Sequence, residues 1–163
     1  RAINDDLLRD ALLRHAPSAD LVPGPLSRHA ALINALCGGE NLTAIYRAIA
    51  ELKTHEDPWL SRAASTMLAG SPGSARLAFT LLRRTRLSSL AEVFRTEYIA
   101  ALVCTAEGDF AEGIRALLID KDKQPQWNPA TLDAASEAWV QRFFEAPWPA
   151  GQRHPLADLG AEA

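Results

Sequence analysis

This chain has few of the residues that usually announce chemistry. It holds two cysteines, four histidines and one methionine in 163 residues. Cys37 and Cys104 lie far apart in apolar, helix-patterned surroundings, without CxxC or Cys/His spacing. That excludes a redox or zinc motif and predicts two reduced core thiols, because free cysteine behaves as a small buried hydrophobe. His15, His29, His55 and His154 lack an i, i+4 histidine or an acidic companion, so they read as surface or loop residues and no metal site is expected. There is no GxSxG, no glycine-rich phosphate loop and no DxDxDG. No catalytic residue is assigned.

The charge balance is equally uninformative: 17 Lys and Arg against 20 Asp and Glu give a net charge of −3. No global field draws such a chain to nucleic acid or to an anionic membrane, and neither is expected as a partner. No apolar run approaches the ~20 residues that span a bilayer, so a membrane protein is not expected. The chain starts Arg1-Ala2-Ile3, without Met, and enters an amphipathic pattern at once, as a piece of a longer protein does; a targeting segment would then lie outside it. Two further patterns are missing. Nothing alternates as a strand does, and no motif recurs at a fixed period, which predicts an all-α, non-repeating array of about seven to eight helices.

The chain is 48% hydrophobic, enough for one core. Leu7, Leu8, Ala11 and Leu12 make a first helical stripe, and Pro17, Pro23, Gly24 and Pro25 break it. Ser27 is the expected cap of a second helix, stopped at Gly38-Gly39; Asn41 caps a third, with Leu42, Ile45, Ile49 and Leu52 inward. Asp57-Pro58 is an N-cap followed by a first-turn proline, and Gly70 closes that helix. Ser71 to Ser74 reads as a turn restarting a helix at Ser74, with a basic end at Arg83, Arg84 and Arg86. Ser89 and Glu92 form a capping box before the longest helix, whose half beyond Tyr98 is apolar nearly all round and expected to be deeply buried. A last helix from about Asp133 carries Trp139, Val140, Phe143 and Phe144. Residues 148–163 read as a tail.

The most distinctive stretch is Glu107 to Pro129. Asp109 sits where an N-cap belongs and Glu112 where a capping-box partner would reach back, while Phe110, Ile114, Leu117 and Leu118 repeat as one apolar stripe. Capping accounts for two of the three acids among Glu107, Asp109 and Glu112 without acid/base chemistry. Asp120, Lys121, Asp122 and Lys123 then follow in a row, before Pro125, Trp127 and Pro129. Lys121 and Lys123 are candidate phosphate ligands, with a solvated helix exit as the alternative; for Arg76, Arg83, Arg84 and Arg86 the helix-end preference for cations is the simpler reading.

The stretch FAEGIRALLIDKDKQPQWNPATL resembles the C-terminal region of the 3-hydroxyisobutyryl-CoA hydrolases, a branch of the crotonase (enoyl-CoA hydratase/isomerase) superfamily. An acidic-Phe-x-Glu-Gly helix, an Ile-Asp-Lys-Asp exit and a Pro-x-Trp-x-Pro turn follow one another as in that branch, and Ser71-Pro72 and Glu97-Tyr98 match upstream. The resemblance divides the chain into a helical C-terminal domain over 1–147, with 71–147 matching best and 1–70 as upstream helices, and the tail at 148–163. It implies that the parent hydrolyses an acyl-CoA thioester in valine breakdown and needs no cofactor. It also implies that the ββα-spiral core, with its oxyanion hole and catalytic acid, is absent here, so this chain alone is expected to be inactive and to act in pocket closure and oligomerisation. The implied partners are the N-terminal crotonase core of the same protein, the acyl-CoA substrate, met at its phosphates by Lys121 and Lys123, and further copies of the chain through the Ser89 helix and Trp139, Phe143 and Phe144. The expected location is intracellular, cytoplasmic in a bacterium and mitochondrial in a eukaryote. Ile99 stands where the branch has Arg, and Gly73 and Ala75 replace bulkier residues, so a hydratase/isomerase-type parent and a non-enzymatic helical interaction module stay open as alternatives.

Overall fold

The computed structural model describes residues 2–15 and 22–161. Pro17 of the first linker and the last two residues of the expected tail lie outside them. The chain divides into two compact units, Arg1–Gly38 and Gly39–Ala163. Among the described residues there are nine α-helical segments and no strand.

The first unit holds α1 (Ala2–Arg14), α2 (Pro25–Arg28) and α3 (Ala30–Cys37). The helix expected after a Ser27 cap is split instead. Pro25 starts α2 behind Gly24, Ser27 lies inside it, and His29, at φ −100° and ψ 9°, ends α2 and begins α3. Pro25 needs no amide donor in the first turn, so it starts the helix ahead of Ser27. Cys37 is exposed rather than buried.

The second unit begins with α4 (Leu42–Glu51), where the Asn41 side chain accepts from the Ala44 amide at 3.1 Å. A 3-10 turn over Leu52–Thr54 leads to α5 (Pro58–Ala69), capped by Asp57, whose carboxylate accepts from the Trp59 amide at 2.8 Å. Next, α6 runs from Pro72 to Arg84, two residues earlier than expected, because the Ser71 hydroxyl accepts from the Ser74 amide at 2.9 Å and makes Ser71 the cap. The capping box of Ser89 and Glu92 opens α7 (Leu90–Ala106) with both reciprocal bonds made. Those bonds, from the Ser89 amide and then its hydroxyl, hold the Glu92 carboxyl below its usual range. The C-terminal half of α7 is not deeply buried all round. Ala100 and Val103 are buried, whereas Ala101 is exposed.

Then α8 (Asp109–Ile114) passes into a π turn over Arg115–Ile119. The last helix, α9, is short: Ser136 caps Glu137–Gln141, and a 3-10 turn covers Arg142–Phe144. Its expected start near Asp133 is replaced by turns that bring Ala135 against α6. Arg76, 9% exposed, fixes this junction by donating from Nε to the Ala135 carbonyl at 2.7 Å and from Nη1 to Glu137 at 2.9 Å. The core joins α6, α7 and α9 through Leu77, Val103, Val140 and Phe143, with Leu81, Cys104, Trp139 and Phe144 packed around it. Gly73 is needed here for space, since a Cβ on it would lie 2.6 Å from the Trp139 ring.

Residues 148–161, expected as a tail, fold back onto α7. The Arg95 guanidinium donates to the carbonyls of Leu156, Ala157 and Leu159 at 2.9, 3.1 and 2.6 Å. No local pattern reveals this contact, because it is made to backbone carbonyls some 60 positions away.

Candidate functional site

Within the second unit, the end of α5, the start of α6, and α7, α8 and the 125–128 segment enclose an open cavity of about 900 Å3. Its walls are mainly apolar. Leu77, Trp139 and Phe143 form the floor on the core side, and Phe110, Ile114, Leu117 and Leu118 form the facing wall. The expected stripe of α8 is therefore real but uncovered: Phe110 is 55% exposed, and Leu117 and Leu118 are each 62% exposed. Among the described residues no helix is long and apolar enough to cross a membrane. Uncovered apolar side chains in this number usually mark a surface that meets a partner or ligand.

The motif around this wall is built differently from the sequence expectation. Gly108, at φ 85°, occupies the N-cap position of α8, and Asp109 is the first helical residue. Its carboxylate accepts from the Ser71 hydroxyl and from the Asn128 amide, the latter at 2.8 Å, and so ties α8 to the cap of α6 and to the Pro-x-Trp-x-Pro turn. Glu112 does not reach back to a cap either. It takes Arg115 in a two-pronged pair, both contacts at 2.8 Å, and accepts from the Gln126 amide at 2.6 Å. The supposed capping box is thus two long-range clamps. Both carboxylates are drawn to stronger or better-placed donors than the free amides of a short helix.

Arg115 is the residue the sequence reading missed. Besides Glu112, its guanidinium donates to Asp120 at 2.6 Å, to Asp122 at 2.7 Å and to the Gln124 carbonyl at 3.2 Å. The Ile-Asp-Lys-Asp exit therefore wraps one cation, as the planar five-donor fork of arginine permits. Hydrogen bonds from Arg115 and then from the Gln126 amide hold the Glu112 carboxyl down at about 2. The Asp122 carboxyl is lowered by Arg115 and the Gln124 amide, and the three acids push the Arg115 guanidinium up. The i, i+3 spacing of Glu112 and Arg115 was the available signal.

Lys121 and Lys123 leave this wrap with left-handed backbones, at φ 56° and 57°, and both side chains are exposed. The structure separates them: Lys123 lines the cavity and Lys121 does not. Arg62 and Arg142 also line it, Arg142 lying 3.6 Å from Glu107. Cys104 faces the cavity half-buried, and burial pushes its thiol up, away from the reactive thiolate. The Trp127 indole N–H donates to the Ala69 carbonyl at 3.0 Å, anchoring the turn to the end of α5. Of the arginines considered as phosphate ligands, Arg76 is buried in structure, Arg83 binds Glu40 and the Gly39 carbonyl, and Arg84 lies 4.1 Å from the centre of the Phe144 ring. Among the described residues no group of His, Cys, Asp and Glu is arranged to hold a metal ion.

The family model for enoyl-CoA hydratase/isomerase matches residues 3–144. The mitochondrial 3-hydroxyisobutyryl-CoA hydrolase of Gallus gallus is 33% identical over 120 residues, covering 74% of this chain and 30% of that protein. The mitochondrial 3-hydroxyisobutyryl-CoA hydrolase of Danio rerio is 36% identical over 103 residues, 63% of this chain and 27% of that protein. In structure, a carnitinyl-CoA dehydratase from Mycobacterium thermoresistibile matches with a TM-score of 0.71 and 28% identity, over 99% of this chain and 44% of that one. The chain thus spans about 30% of the length of the curated relatives it matches. The family expected from the Asp109 to Pro129 motifs is borne out: the chain belongs to the enoyl-CoA hydratase/isomerase family, and within this crotonase superfamily it is 3-hydroxyisobutyryl-CoA hydrolase-like.

Proposed function

We propose that this member of the enoyl-CoA hydratase/isomerase family is the all-α helical part of an acyl-CoA thioester hydrolase, with 3-hydroxyisobutyryl-CoA as substrate and valine breakdown as its setting. The observation that carries this reading is the uncovered Phe110, Leu117 and Leu118 wall, which belongs to the stretch whose sequence resembles the hydrolases. In the proposed protein that wall closes against the N-terminal crotonase core, which supplies the oxyanion hole and the catalytic acid. The helical part excludes water and completes the substrate pocket. Lys123, at the cavity edge, and Lys121, beyond it, meet the CoA phosphates as point charges. No cofactor takes part, and the location is intracellular, cytoplasmic in a bacterium or mitochondrial in a eukaryote.

Two assays with the chain itself test the assignment. It is expected to give no hydrolysis of 3-hydroxyisobutyryl-CoA above background; turnover would sink the claim that its catalytic groups lie elsewhere. CoA is expected to bind weakly by calorimetry and to lose affinity in the double variant Lys121→Glu, Lys123→Glu, and unchanged affinity would remove both lysines from the site. The structural likeness to a carnitinyl-CoA dehydratase favours a hydratase-type parent as the second reading, distinguished by which acyl-CoA the larger protein consumes.

The same open wall supports self-association of the chain, joining the exposed Leu90 and Phe94 of the Ser89 helix and standing in for Phe143, which is buried. Val140 and Phe143 are buried and Trp139 packs against Phe143 with ring centres 4.8 Å apart, whereas Phe110, Leu117 and Leu118 are free to meet a second copy. Sedimentation velocity is expected to show a concentration-dependent dimer or larger species that Leu117→Asp abolishes. A strict monomer at high concentration would count against it.

A further inference from the structure

The charged residues on the lining of the cavity are three cations and two acids, Arg62, Lys123 and Arg142 against Glu107 and Asp109. The whole chain carries a net charge of −3, so the cavity is opposite in sign to the molecule around it. Asp109 is already engaged, because its carboxylate accepts from the Ser71 hydroxyl and the Asn128 amide. That leaves Glu107, whose 3.6 Å contact with Arg142 is too long for a hydrogen bond. Arg62 and Lys123 make no ion pair among the described residues. The rim therefore holds more positive charge than its own acids neutralise.

Arg142 is held differently from the arginines that tie this unit together. Arg76, Arg83, Arg84, Arg95 and Arg115 each donate to carboxylates, a side-chain amide or backbone carbonyls. The Arg142 guanidinium instead stands 4.8 Å from the centre of the Trp139 ring and 5.1 Å from that of Phe143, both on the cavity floor. Aromatic faces attract a cation without taking up its N–H groups. Among the described residues the Arg142 side chain makes no hydrogen bond, so its place is set while its five donors stay uncommitted. A planar fork in that state matches the two oxygens of a carboxylate. Beside it, Leu77, Phe110, Ile114, Leu117 and Leu118 offer apolar room for a chain.

We propose that this cavity is a binding site for aliphatic carboxylates, with the chain between floor and wall and the head group paired to Arg142. Arg62 and Lys123 add attraction at longer range, and Glu107 is the counter-ion that the head group displaces. Two mismatches select this ligand class. A neutral chain leaves the guanidinium without an acceptor, and a small polar anion leaves the Phe110, Leu117 and Leu118 wall in water. The volume of about 900 Å3 falls within the roughly 300–1,000 Å3 of small-molecule sites. The inference goes beyond the hydrolase reading, because it requires neither CoA nor a catalytic core.

The test is titration of the full chain, at low protein concentration, with decanoate, 1-decanol and unacylated CoA, followed by tryptophan fluorescence, since Trp127 and Trp139 line the cavity. Decanoate is expected to bind about tenfold or more tightly than 1-decanol, which has the chain without the charge. Arg142→Gln is expected to erase that difference and leave decanol binding as it was. Glu107→Gln, a change on an exposed side chain that removes the competing carboxylate, is expected to tighten decanoate about two- to fivefold and decanol not at all. Absence of decanoate binding, or equal affinities for decanoate and decanol, would overturn the proposal. So would unacylated CoA that binds as tightly as decanoate and competes with it, which would give Arg142 to phosphate oxygens. Should Arg142→Gln lose both ligands, the Glu107→Gln comparison decides, and decanoate bound no more tightly there overturns the site. None of these outcomes depends on whether the larger protein hydrolyses an acyl-CoA.

Discussion

Phe143→Ala is expected to remove about 3–5 kcal/mol of folding stability, from the usual cost of emptying a buried aromatic site. Phe143 is 4% exposed, joins Leu77, Val103 and Val140 in the core, and lies tilted against Trp139. The Arg142 guanidinium stands over it at 5.1 Å, so truncation also loosens the cation that reaches Glu107. Domains of this size hold only about 5–15 kcal/mol in total, which makes the loss a large fraction of the whole. Urea unfolding is the direct measurement: the midpoint falls while the slope stays constant. Phe143→Leu, which keeps most of the volume, is expected to cost roughly 1.5 kcal/mol or less. Equal midpoints for the alanine variant and the wild type would mean that α9 does not close the core.

The same residues explain what could and could not be read from the chain. Caps at Asn41, Asp57 and Ser89 were legible because each side chain bonds an amide two or three positions away. Asp109 looked the same in sequence, yet its carboxylate is taken up by residues 38 and 19 positions distant. Local pattern cannot separate these cases. The tail was misread for the same reason, since the Arg95 side chain holds backbone carbonyls that carry no residue signature. In the candidate site, the apolar stripe and the family motif were visible, but not the direction the stripe faces. Periodicity states that a helix has an apolar side and says nothing of whether that side is covered. Nor do the left-handed backbones of Lys121 and Lys123 follow from residue type, because lysine seldom adopts them; they alternate with Asp120, Asp122 and Gln124, all three of which bond to Arg115.

Arg115→Ala is accordingly expected to lower the melting temperature by several degrees at pH 7 and to loosen residues 120–126, while leaving α4 to α7 intact. The variant leaves Glu112, Asp120 and Asp122 converging without their cation. Glu112 also loses the fork that positions it for the Gln126 amide, so the turn leading to Trp127 loses one of its ties. The pH dependence identifies the mechanism. In the wild type the Glu112 carboxyl is held at about 2, below its ordinary 4.5, and Asp122 is shifted in the same direction from 3.8. Groups depressed in the folded state contribute stability that is fully present above their unfolded values and lost as pH falls through the folded ones. The stability gap between wild type and variant is therefore widest above about pH 5 and closes as pH is lowered toward 2, as the acids become protonated and Arg115 loses the anions it gathers. Arg115→Lys should recover only part of the gap, because an ammonium supplies charge without the planar fork that reaches all three acids. Thermal melts of the three proteins at pH 7, 4 and 2.5 decide the matter: a gap that does not narrow with acid would show that Arg115 acts by packing its methylenes rather than by holding the carboxylates that shape the exit.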